Sequence, residues 1–494
     1  MSEEDRNCPG DPARIGEAIC RGRQLRNYQK CTECEHRDPG LGSKAIKAEV
    51  AHAYDAIFKA YDVRGTYPDQ LNEQMAEQVG AATARFLNAE RLVVSRDMRA
   101  SGENLSRALA QGILTAGAHV MDCGLLSTDA NYFAICHLHA DGGIQVTASH
   151  NPAQWNGFKI SREEAIPISA DTGLLNIKRI ASGPPVRPSR ARGKAEKANV
   201  LPRYVDHVLS FVRNPAPLKV AIDAGNGMGG HILPPMLEKL PLEVTPLYFE
   251  LDGSFPHHEA NPLKPENMRD LQKAVREKGC DLGVAFDGDA DRCMFTDENG
   301  DLVSSDLVTA LIAGRLLETH KGATILHDIR SSRVVAEEVR RHGGVPRVER
   351  VGHSFMKATM RRHNAVFGGE LSGHYYFRDN FFADSGAIAF MEVVSILSSS
   401  RSSFSELLAP LRRYFATGEI NYEVEDKEQA MNRLAEAFKD GRVSRLDGIT
   451  VEYDDWWFNV RPSNTEPALR LNLEANTEEL MEEGKRRVEA VIME

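Results

Sequence analysis

The sequence predicts an α/β protein: three α/β domains with mixed, mostly parallel sheets, followed by a C-terminal α+β domain. Three observations lead to this fold class. The 494 residues suffice for about three to four domains. Strand-like apolar runs alternate with stretches of helical periodicity over most of the chain. Beyond Thr417, strands follow one another with few crossovers, which indicates an antiparallel sheet.

Individual elements follow from the spacing of apolar residues. Predicted helices cover residues 75–86, 105–113, 307–317 and 431–438, and a last helix begins at Thr477. Predicted strands cover residues 92–94, 120–121, 144–146, 220–222, 244–249, 282–286, 324–326, 365–367, 449–453, 458–460 and 469–473. The charged stretch 187–199 has no strand pattern and is predicted to be a linker. The predicted domains are a cysteine-containing N-terminal extension, 1–50, and then 51–197, 198–299, 300–416 and 417–494.

Composition excludes several classes of protein. The formal charge of −11, from 71 acidic and 60 basic residues, argues against a general nucleic-acid binder. No apolar run approaches the roughly 20 residues that span a bilayer, so no membrane partner is expected. Residues 1–12 are charged and lack the apolar core of a secretory signal. We therefore expect a cytoplasmic protein with reduced cysteines.

A single hydroxyl follows a predicted strand in the first domain. Ser149 lies on a loop of small residues after strand 144–146 and is followed by His150, Asn151 and Pro152. Lys159 comes ten residues later. A serine raised on a tight loop suits a covalent phosphoryl carrier.

Three carboxylates follow strand 282–286. Asp287, Asp289 and Asp291 alternate along the chain and would repel one another unless a cation joins them. Their hard oxygen ligands favour Mg²⁺ or Ca²⁺. Two other interpretations are a solvated acidic turn and an EF-hand loop with Glu298 at its twelfth position. Arg292 stands where an EF-hand requires glycine, which argues against the latter.

A glycine-rich turn offers a different hypothesis. Residues 225–230 match G-x-G-x-x-G after a predicted strand, and Glu250 lies where a ribose-binding acid would be expected. Pro234 and Pro235 interrupt the helix that should follow. A lone match of this kind is weak, and a structural turn is favoured over dinucleotide binding.

Two further loops carry polar side chains suited to a sugar phosphate. In 369–374, Glu370 and Ser372 offer a carboxylate and a hydroxyl beside glycines, which suits a pair of sugar hydroxyls. Near the C-terminus, one guanidinium and three neutral donors share a turn that could bind phosphate as an anion nest. These donors are Arg461, Ser463, Asn464 and Thr465. A plain polar loop and an ordinary capped turn are the alternatives.

Four of these motifs occur in a fixed order: the serine loop, the three aspartates, segment 369–374 and the Arg461 turn. Together they resemble the signature set of the α-D-phosphohexomutase superfamily, and they are closest to its phosphomannomutase/phosphoglucomutase branch. The resemblance covers the chain from about Ala56 onward and implies four domains around a central cleft. It implies that Ser149 is the phosphoserine and that an oxygen of its phosphate joins the three aspartates on Mg²⁺. It also implies that Arg64, in the opening motif 58–65, lies beside the reacting phosphate.

The resemblance assigns the remaining loops as well. Arg292 would anchor its loop or the phosphoryl group, Glu370 and Ser372 would hold the sugar O3 and O4, and the Arg461 loop would bind the phosphate that is not reacting. Segments 95–99 and 352–354 are similar to smaller family motifs. One departure is Asp129, because relatives often carry proline after the threonine that corresponds to Thr128.

The implied reaction is a reversible phosphosugar mutation of mannose or glucose phosphate through a hexose 1,6-bisphosphate, which also acts as activator. Lys159, His353 and His374 are candidate proton acceptors. A phosphoglucosamine mutase is the nearest rival, although Phe158 argues against it. A phosphosugar phosphatase and a non-catalytic sugar-phosphate sensor are alternatives of other classes. The oligomeric state stays open.

The N-terminal extension lies outside the resemblance. Cys8, Cys20, Cys31 and Cys34 fall within 27 residues, with Cys31 and Cys34 in a C-x-x-C spacing. They could hold zinc or an iron–sulfur cluster. Unrelated reduced thiols are favoured, because the spacing is not that of a standard zinc ribbon.

Overall fold

The computed structural model describes residues 52–189, 191–462 and 468–494, together with 6–7, 14–15, Cys20 and Cys34. These residues form two compact units. The first comprises Met1–Leu126 and Ala134–Val200, and the second comprises Ser127–Phe133 and Leu201–Glu494. In the N-terminal extension, Arg6–Asn7 pairs antiparallel with Arg14–Ile15. None of the helices in the described part of the chain is long and apolar enough to cross a membrane.

One six-stranded mixed sheet organises the first unit. In spatial order its strands are Val63–Thr66, Trp155–Arg162, Gly142–Val146, Arg91–Arg96, His119–Leu125 and Ala195–Lys197. The last four strands run parallel, and Trp155–Arg162 is antiparallel to both of its neighbours. Its helices include Glu73–Leu87, Gly102–Ala116, Leu174–Ala181 and Thr128–His137, which begins in the second unit.

The first two helices approach each other closely because glycines line their contact. A Cβ atom on Gly80 would lie 2.1 Å from the Leu109 carbonyl oxygen, and one on Gly112 would lie 1.9 Å from that of Glu77. Any larger residue would force the two backbones apart. The helix Glu73–Leu87 begins where the Asn72 side chain accepts a hydrogen bond from the backbone, as expected of an N-cap.

Three sheets build the second unit. The first orders its strands Leu242–Leu247, Leu218–Asp223, Leu282–Phe286, Cys293–Thr296 and Leu302–Val303, and the second Val345–Glu349, Thr324–Asp328, Phe367–Gly369, Tyr375–Phe377 and Ala383–Asp384. In each sheet the first three strands run parallel to one another, and each of the last two strands pairs antiparallel with the strand before it. Their helices are Leu201–Leu209, Gly229–Ile232, Pro234–Leu237, Arg269–Lys278, Ser305–Thr319, Arg333–Arg341, His353–His363, Gly386–Ser399 and Phe404–Leu408.

The third sheet is antiparallel throughout. Its order is Phe415–Ala416, Ala468–Ala475, Trp456–Pro462, Ile449–Glu452 and Arg442–Ser444, and Ile420–Glu423 also pairs with Ala468–Ala475. The helices Lys427–Ala437 and Glu478–Met493 accompany it. Three mixed α/β sheets followed by an antiparallel α+β sheet confirm the predicted fold class.

Two local predictions have different outcomes. The helix break at the paired prolines is present, because Gly229–Ile232 and Pro234–Leu237 are separate short helices. The prediction that 187–199 contains no strand is wrong, since Ala195–Lys197 pairs parallel with His119–Leu125. All three of its residues are exposed, so the strand pairs through its backbone and leaves no apolar pattern in the sequence.

Candidate active site

Ser149 lies in the loop between two antiparallel strands of the first unit, Gly142–Val146 and Trp155–Arg162. It is buried and adopts a left-handed backbone conformation, with φ of +52°. Such a conformation is costly for a residue other than glycine and persists only where the surroundings fix it. The loop is therefore held in a particular shape, and a ring nitrogen of His150 lies 3.3 Å from the Ser149 hydroxyl.

Arg99 provides much of that fixation. Its side chain is fully buried, and every one of its N–H groups has an acceptor within this region. The acceptors, at 2.7–3.1 Å, are the carbonyl oxygens of Ser149, Asn151, Pro152 and Trp155 and the carboxylate of Asp97. Segment 95–99 thus acts as the clamp of the serine loop, a role that its sequence alone did not reveal.

Arg64 lies beside the same loop. It donates to the side-chain oxygen of Asn151 at 2.5 Å and to the carbonyl of Ala148 at 3.3 Å. It also donates to the carboxylate of Asp62 at 2.6 Å. Arg64 therefore contacts the loop that carries Ser149, and its role beside the reacting phosphate stays a prediction. Lys159 is half-buried on the following strand, directly opposite Gln145.

The three aspartates form a buried cluster in the second unit. Asp287, Asp289 and Asp291 follow the strand Leu282–Phe286, and one carboxylate oxygen from each lies within 4.8 Å of the others. Arg292 donates to Asp287 at 2.9 Å. Burial disfavours the charge on Arg292, but the aspartates outweigh it and raise the pKa of the guanidinium. Arg292 therefore anchors its own loop.

Backbone contacts position this loop. The carbonyl of Gly288 accepts from the N–H of Met228 at 2.9 Å, and the N–H of Gly288 donates to Ala260. A Cβ atom on Gly227 would lie 2.8 Å from the Gly288 oxygen. The glycine-rich turn 225–230 therefore packs against the aspartate loop, which gives its glycines a structural role.

The donor set fits a hard divalent cation. Three buried carboxylates with one guanidinium leave net negative charge in a site of low dielectric, which a cation such as Mg²⁺ would neutralise. An EF-hand is excluded, because a strand rather than a helix precedes the loop. Glu298, at the twelfth position of that alternative, instead accepts hydrogen bonds from the side chain and backbone of Ser405.

The two predicted sugar-contacting turns meet in the second unit. Glu370 is buried and accepts hydrogen bonds from the N–H of Gly352, at 2.8 Å, and from the hydroxyl of Tyr376. Burial raises the pKa of Glu370, and repulsion from Asp328 raises it further. These bonds fix the carboxylate at the junction of segments 352–354 and 369–374.

His374 joins this junction to the aspartate cluster. Its Nδ1 lies 3.0 Å from the Ser372 hydroxyl, and its Nε2 lies 3.6 Å from Asp291 and 3.8 Å from Asp384. The ring of His353 is 6.4 Å away, centroid to centroid. Among the predicted proton acceptors, His374 thus has a ring nitrogen 3.6 Å from an aspartate of the triad.

Sequence reasoning missed a buried ion pair behind His374. Lys357 and Asp384 lie 2.6 Å apart and are almost fully buried. The Lys357 ammonium also lies over the ring of Tyr132, 3.8 Å from its centroid, in a cation–π contact. Nothing in the local sequence distinguishes this lysine from an exposed one, because its burial depends on packing against segments far along the chain.

Arg461 is buried at the end of the strand Trp456–Pro462 and belongs to a cluster of guanidinium groups. It donates to Glu419 at 2.8 Å, and Arg470 donates to the same carboxylate at 3.2 Å. Arg330 lies 3.6 Å from Glu419 and 2.6 Å from Asp328. Burial opposes the charge of Glu419, but Arg461 and Arg330 outweigh it and lower the pKa of Glu419. The cluster suits an anionic ligand.

Several predicted residues lie outside the described residues. These are Ser463, Asn464 and Thr465 of the phosphate loop and Cys8 and Cys31 of the extension. Cys20 and Cys34 are buried. Zinc, an iron–sulfur cluster and unrelated thiols all remain predictions for this segment.

Comparison with protein families identifies the chain over nearly its whole length. Models described as phosphoglucomutase/phosphomannomutase alpha/beta/alpha domains I, II and III and C-terminal domain match residues 55–183, 202–300, 304–414 and 419–491. The chain belongs to the phosphoglucomutase/phosphomannomutase family. The predicted superfamily is therefore confirmed, and so is the prediction that the protein is a phosphohexomutase enzyme.

Individual relatives agree with this family. A phosphomannomutase of Escherichia coli is 40% identical over 87% of this chain and 97% of its own length. Phosphohexose mutases of Xanthomonas campestris pv. campestris share 40% identity over 84% of this chain and 94% of their own length. The crystal structure of a phosphoglucomutase/phosphomannomutase family protein from Burkholderia thailandensis superposes with a TM-score of 0.82 at 32% identity, covering 88% of this chain and 97% of that one.

Proposed function

We propose that this phosphohexomutase moves a phosphoryl group reversibly between C1 and C6 of mannose phosphate, glucose phosphate or both. The observation that carries the proposal is Ser149, a buried hydroxyl held in a left-handed conformation by the Arg99 clamp. A strained, fixed nucleophile is typical of covalent catalysis. Mannose phosphate is favoured because relatives at 40% identity are phosphomannomutases.

In the proposed cycle the enzyme starts with a phosphoryl group on Ser149. The free hydroxyl of the hexose monophosphate attacks phosphorus, the bond to the Ser149 oxygen breaks, and a base takes the hydroxyl proton. The hexose 1,6-bisphosphate then turns end for end. The Ser149 oxygen attacks the other phosphate, and the bond from that phosphate to the sugar oxygen breaks. The protonated base returns its proton to this sugar oxygen, and the phosphoenzyme is regenerated. A bisphosphate taken from solution would restore a dephosphorylated serine in the same way.

Asp287, Asp289 and Asp291 would hold Mg²⁺, together with an oxygen of the phosphoserine. The bound ion would supply charge stabilisation for the phosphoryl group as it transfers. Arg292 keeps Asp287 oriented toward this task through its 2.9 Å hydrogen bond. Arg64, beside the serine loop, would add a second positive charge near the reacting phosphate.

We favour His374 as the proton acceptor. Asp291, Asp384 and Glu370 all lie within 3.8 Å of its ring nitrogens, and such carboxylates stabilise the imidazolium that forms on proton uptake. Lys159 remains an alternative on the serine side. Glu370 and Ser372, which share the junction with His374, would hold the sugar O3 and O4.

The non-reacting phosphate would bind at Arg461 and at the donors Ser463, Asn464 and Thr465 that follow it. Support comes from the guanidinium cluster around Glu419, where Arg330 and Arg470 join Arg461. A dianionic phosphate would find a preformed set of donors there.

The test combines substrate assays with a serine variant. Coupled assays on mannose 1-phosphate, glucose 1-phosphate and glucosamine 1-phosphate should show 6-phosphate formation, with the mannose or glucose ester preferred. Ser149→Ala should lose phosphoenzyme and turnover, while Ser161→Ala, which changes another buried serine of the same unit, should keep both. A preference for glucosamine phosphate would indicate the rival mutase, release of free phosphate a phosphatase, and binding without turnover a sensor.

A further inference from the structure

Asp129 is a buried carboxylate that the proposed reaction does not use. It lies in the first turn of the helix Thr128–His137 and is fully shielded from solvent. Among the described residues no ion pair involves it. Its oxygens instead accept four hydrogen bonds: from the hydroxyl of Ser127, the N–H of Ala130 at 2.9 Å, and the hydroxyls of Tyr204 and Ser385 at 2.5 Å each.

A carboxylate buried without a cation is expensive unless hydrogen bonds satisfy it. Burial raises the pKa of Asp129 to about 6, while its three hydroxyl donors and the N–H of Ala130 act in the opposite direction. Hydrogen bonds converge on both oxygens, so the carboxylate and its donors are fixed relative to one another. The sequence marked this position as a departure from the family pattern.

Two of the three hydroxyls, those of Tyr204 and Ser385, come from distant parts of the second unit. Ser127 precedes Asp129 in the same turn, and Tyr204 lies on the helix Leu201–Leu209. Ser385 caps the helix Gly386–Ser399, because its side chain also accepts from the N–H of Ile388. Asp129 therefore ties together a turn, a helix and a helix cap that are separated along the chain by up to 256 residues.

Two of these segments adjoin the residues of the candidate active site, one at the aspartate triad and the other near His374. Thr128, next to Asp129, donates its hydroxyl to the carboxylate of Asp289 at 2.5 Å and its N–H to the Asp289 carbonyl at 3.0 Å. Ser385 follows Asp384, which lies 3.8 Å from His374. The same carboxylate thus supports the residue that holds Asp289 and the residue that follows Asp384.

We propose that Asp129 is a positioning residue: it fixes Thr128 against Asp289 and thereby sets the geometry in which the aspartate triad binds a divalent cation. This inference rests on the proposed function of the triad as a Mg²⁺ site. Among the described residues, none of the hydrogen bonds of Asp129 goes to the triad, so its effect passes through Thr128. Outer residues that orient metal ligands typically change metal affinity or activity on the order of ten- to hundred-fold when they are replaced.

The test measures cation binding directly. Mn²⁺, which has a paramagnetic signal, is titrated into the full-length protein and followed by electron paramagnetic resonance. Asp129→Asn removes one acceptor oxygen where three hydroxyls converge, and Thr128→Val removes the donor to Asp289. Each variant should weaken Mn²⁺ binding on the order of ten- to hundred-fold, and Thr128→Ser should bind like the parent. The double variant should be no weaker than the weaker single variant, since both changes break the same chain of contacts.

The matched control is Glu298→Gln. Glu298 is another carboxylate of the second unit, and it accepts a hydrogen bond from the hydroxyl of Ser405. Its replacement should leave Mn²⁺ affinity unchanged. Circular dichroism and thermal melting establish that each variant is folded. Unchanged Mn²⁺ affinity in folded Asp129→Asn, or in folded Thr128→Val if the first variant does not fold, overturns the proposal. Because the readout is cation binding, it remains valid even if no hexose phosphate is turned over, which would defeat the proposed function alone.

Discussion

Replacing Arg99 by lysine should loosen the loop that carries Ser149. The substitution keeps the positive charge beside Asp97 but changes the number and direction of the donors. Arg99 uses five N–H groups, and a lysine ammonium has three on a single nitrogen. At least two of the five hydrogen bonds must therefore be lost.

The expected magnitude follows from what those bonds satisfy. Four of the acceptors are loop carbonyl oxygens around a side chain with no solvent exposure. Three of these carbonyls are only partly buried, and that of Pro152 also accepts from the N–H of Trp155, so each lost bond costs about 0.5–1.5 kcal/mol and two lost bonds give roughly 1–3 kcal/mol. This loss falls on a loop that already holds Ser149 at a φ of +52°, and the backbone should relax toward an unstrained conformation.

Hydrogen exchange followed by mass spectrometry is the appropriate assay, because a chain of several domains does not unfold in one step. Peptides covering residues 147–158 should exchange faster in Arg99→Lys, and the fraction of enzyme phosphorylated on Ser149, read by intact mass, should fall. Arg91→Lys is the control: Arg91 also donates to two backbone carbonyls, but it is exposed, so water can replace its bonds. Equal exchange in the parent and Arg99→Lys, or an equal change in Arg91→Lys, would contradict the role assigned to Arg99.

Four further outcomes are expected. Ser149→Ala should carry no phosphate by peptide mass spectrometry and lose several orders of magnitude in mutase rate, and phosphate found on an aspartate instead would contradict the assignment. Asp289→Asn should slow turnover and weaken its dependence on Mg²⁺, whereas equal activity of the parent enzyme in chelator and in Mg²⁺ would exclude the metal role. Arg461→Ala should raise the KM for hexose monophosphate by about ten-fold or more, from a lost contact of about 1.5–3 kcal/mol, without altering inhibition by unphosphorylated hexose. Deleting residues 1–39 should leave kcat largely intact, and a folded but inactive truncation, or stoichiometric zinc or iron in the full-length protein, would assign the cysteines a role.

The parts of the site that the sequence predicted are those built from neighbouring residues. The serine loop, the three aspartates and the segment from Glu370 to His374 each fit within one turn after a strand. Alternating apolar runs located those strands, and the carboxyl ends of strands are where open α/β sheets bind ligands. Local spacing was enough because every member of each motif is placed by the same short stretch of backbone.

The contacts that hold these motifs in place depend on the tertiary structure. Arg99 reaches a loop about 50 residues away, Lys357 pairs with Asp384 across two elements, and Asp129 meets Ser385 at a separation of 256 residues. Hydrophobic periodicity reports which face of an element is buried, but it does not say which polar group lies opposite. A buried arginine, lysine or aspartate has the same letter as an exposed one. The sequence alone thus determined the fold class and the chemical groups of the site, and packing alone determined which distant side chains hold those groups in place.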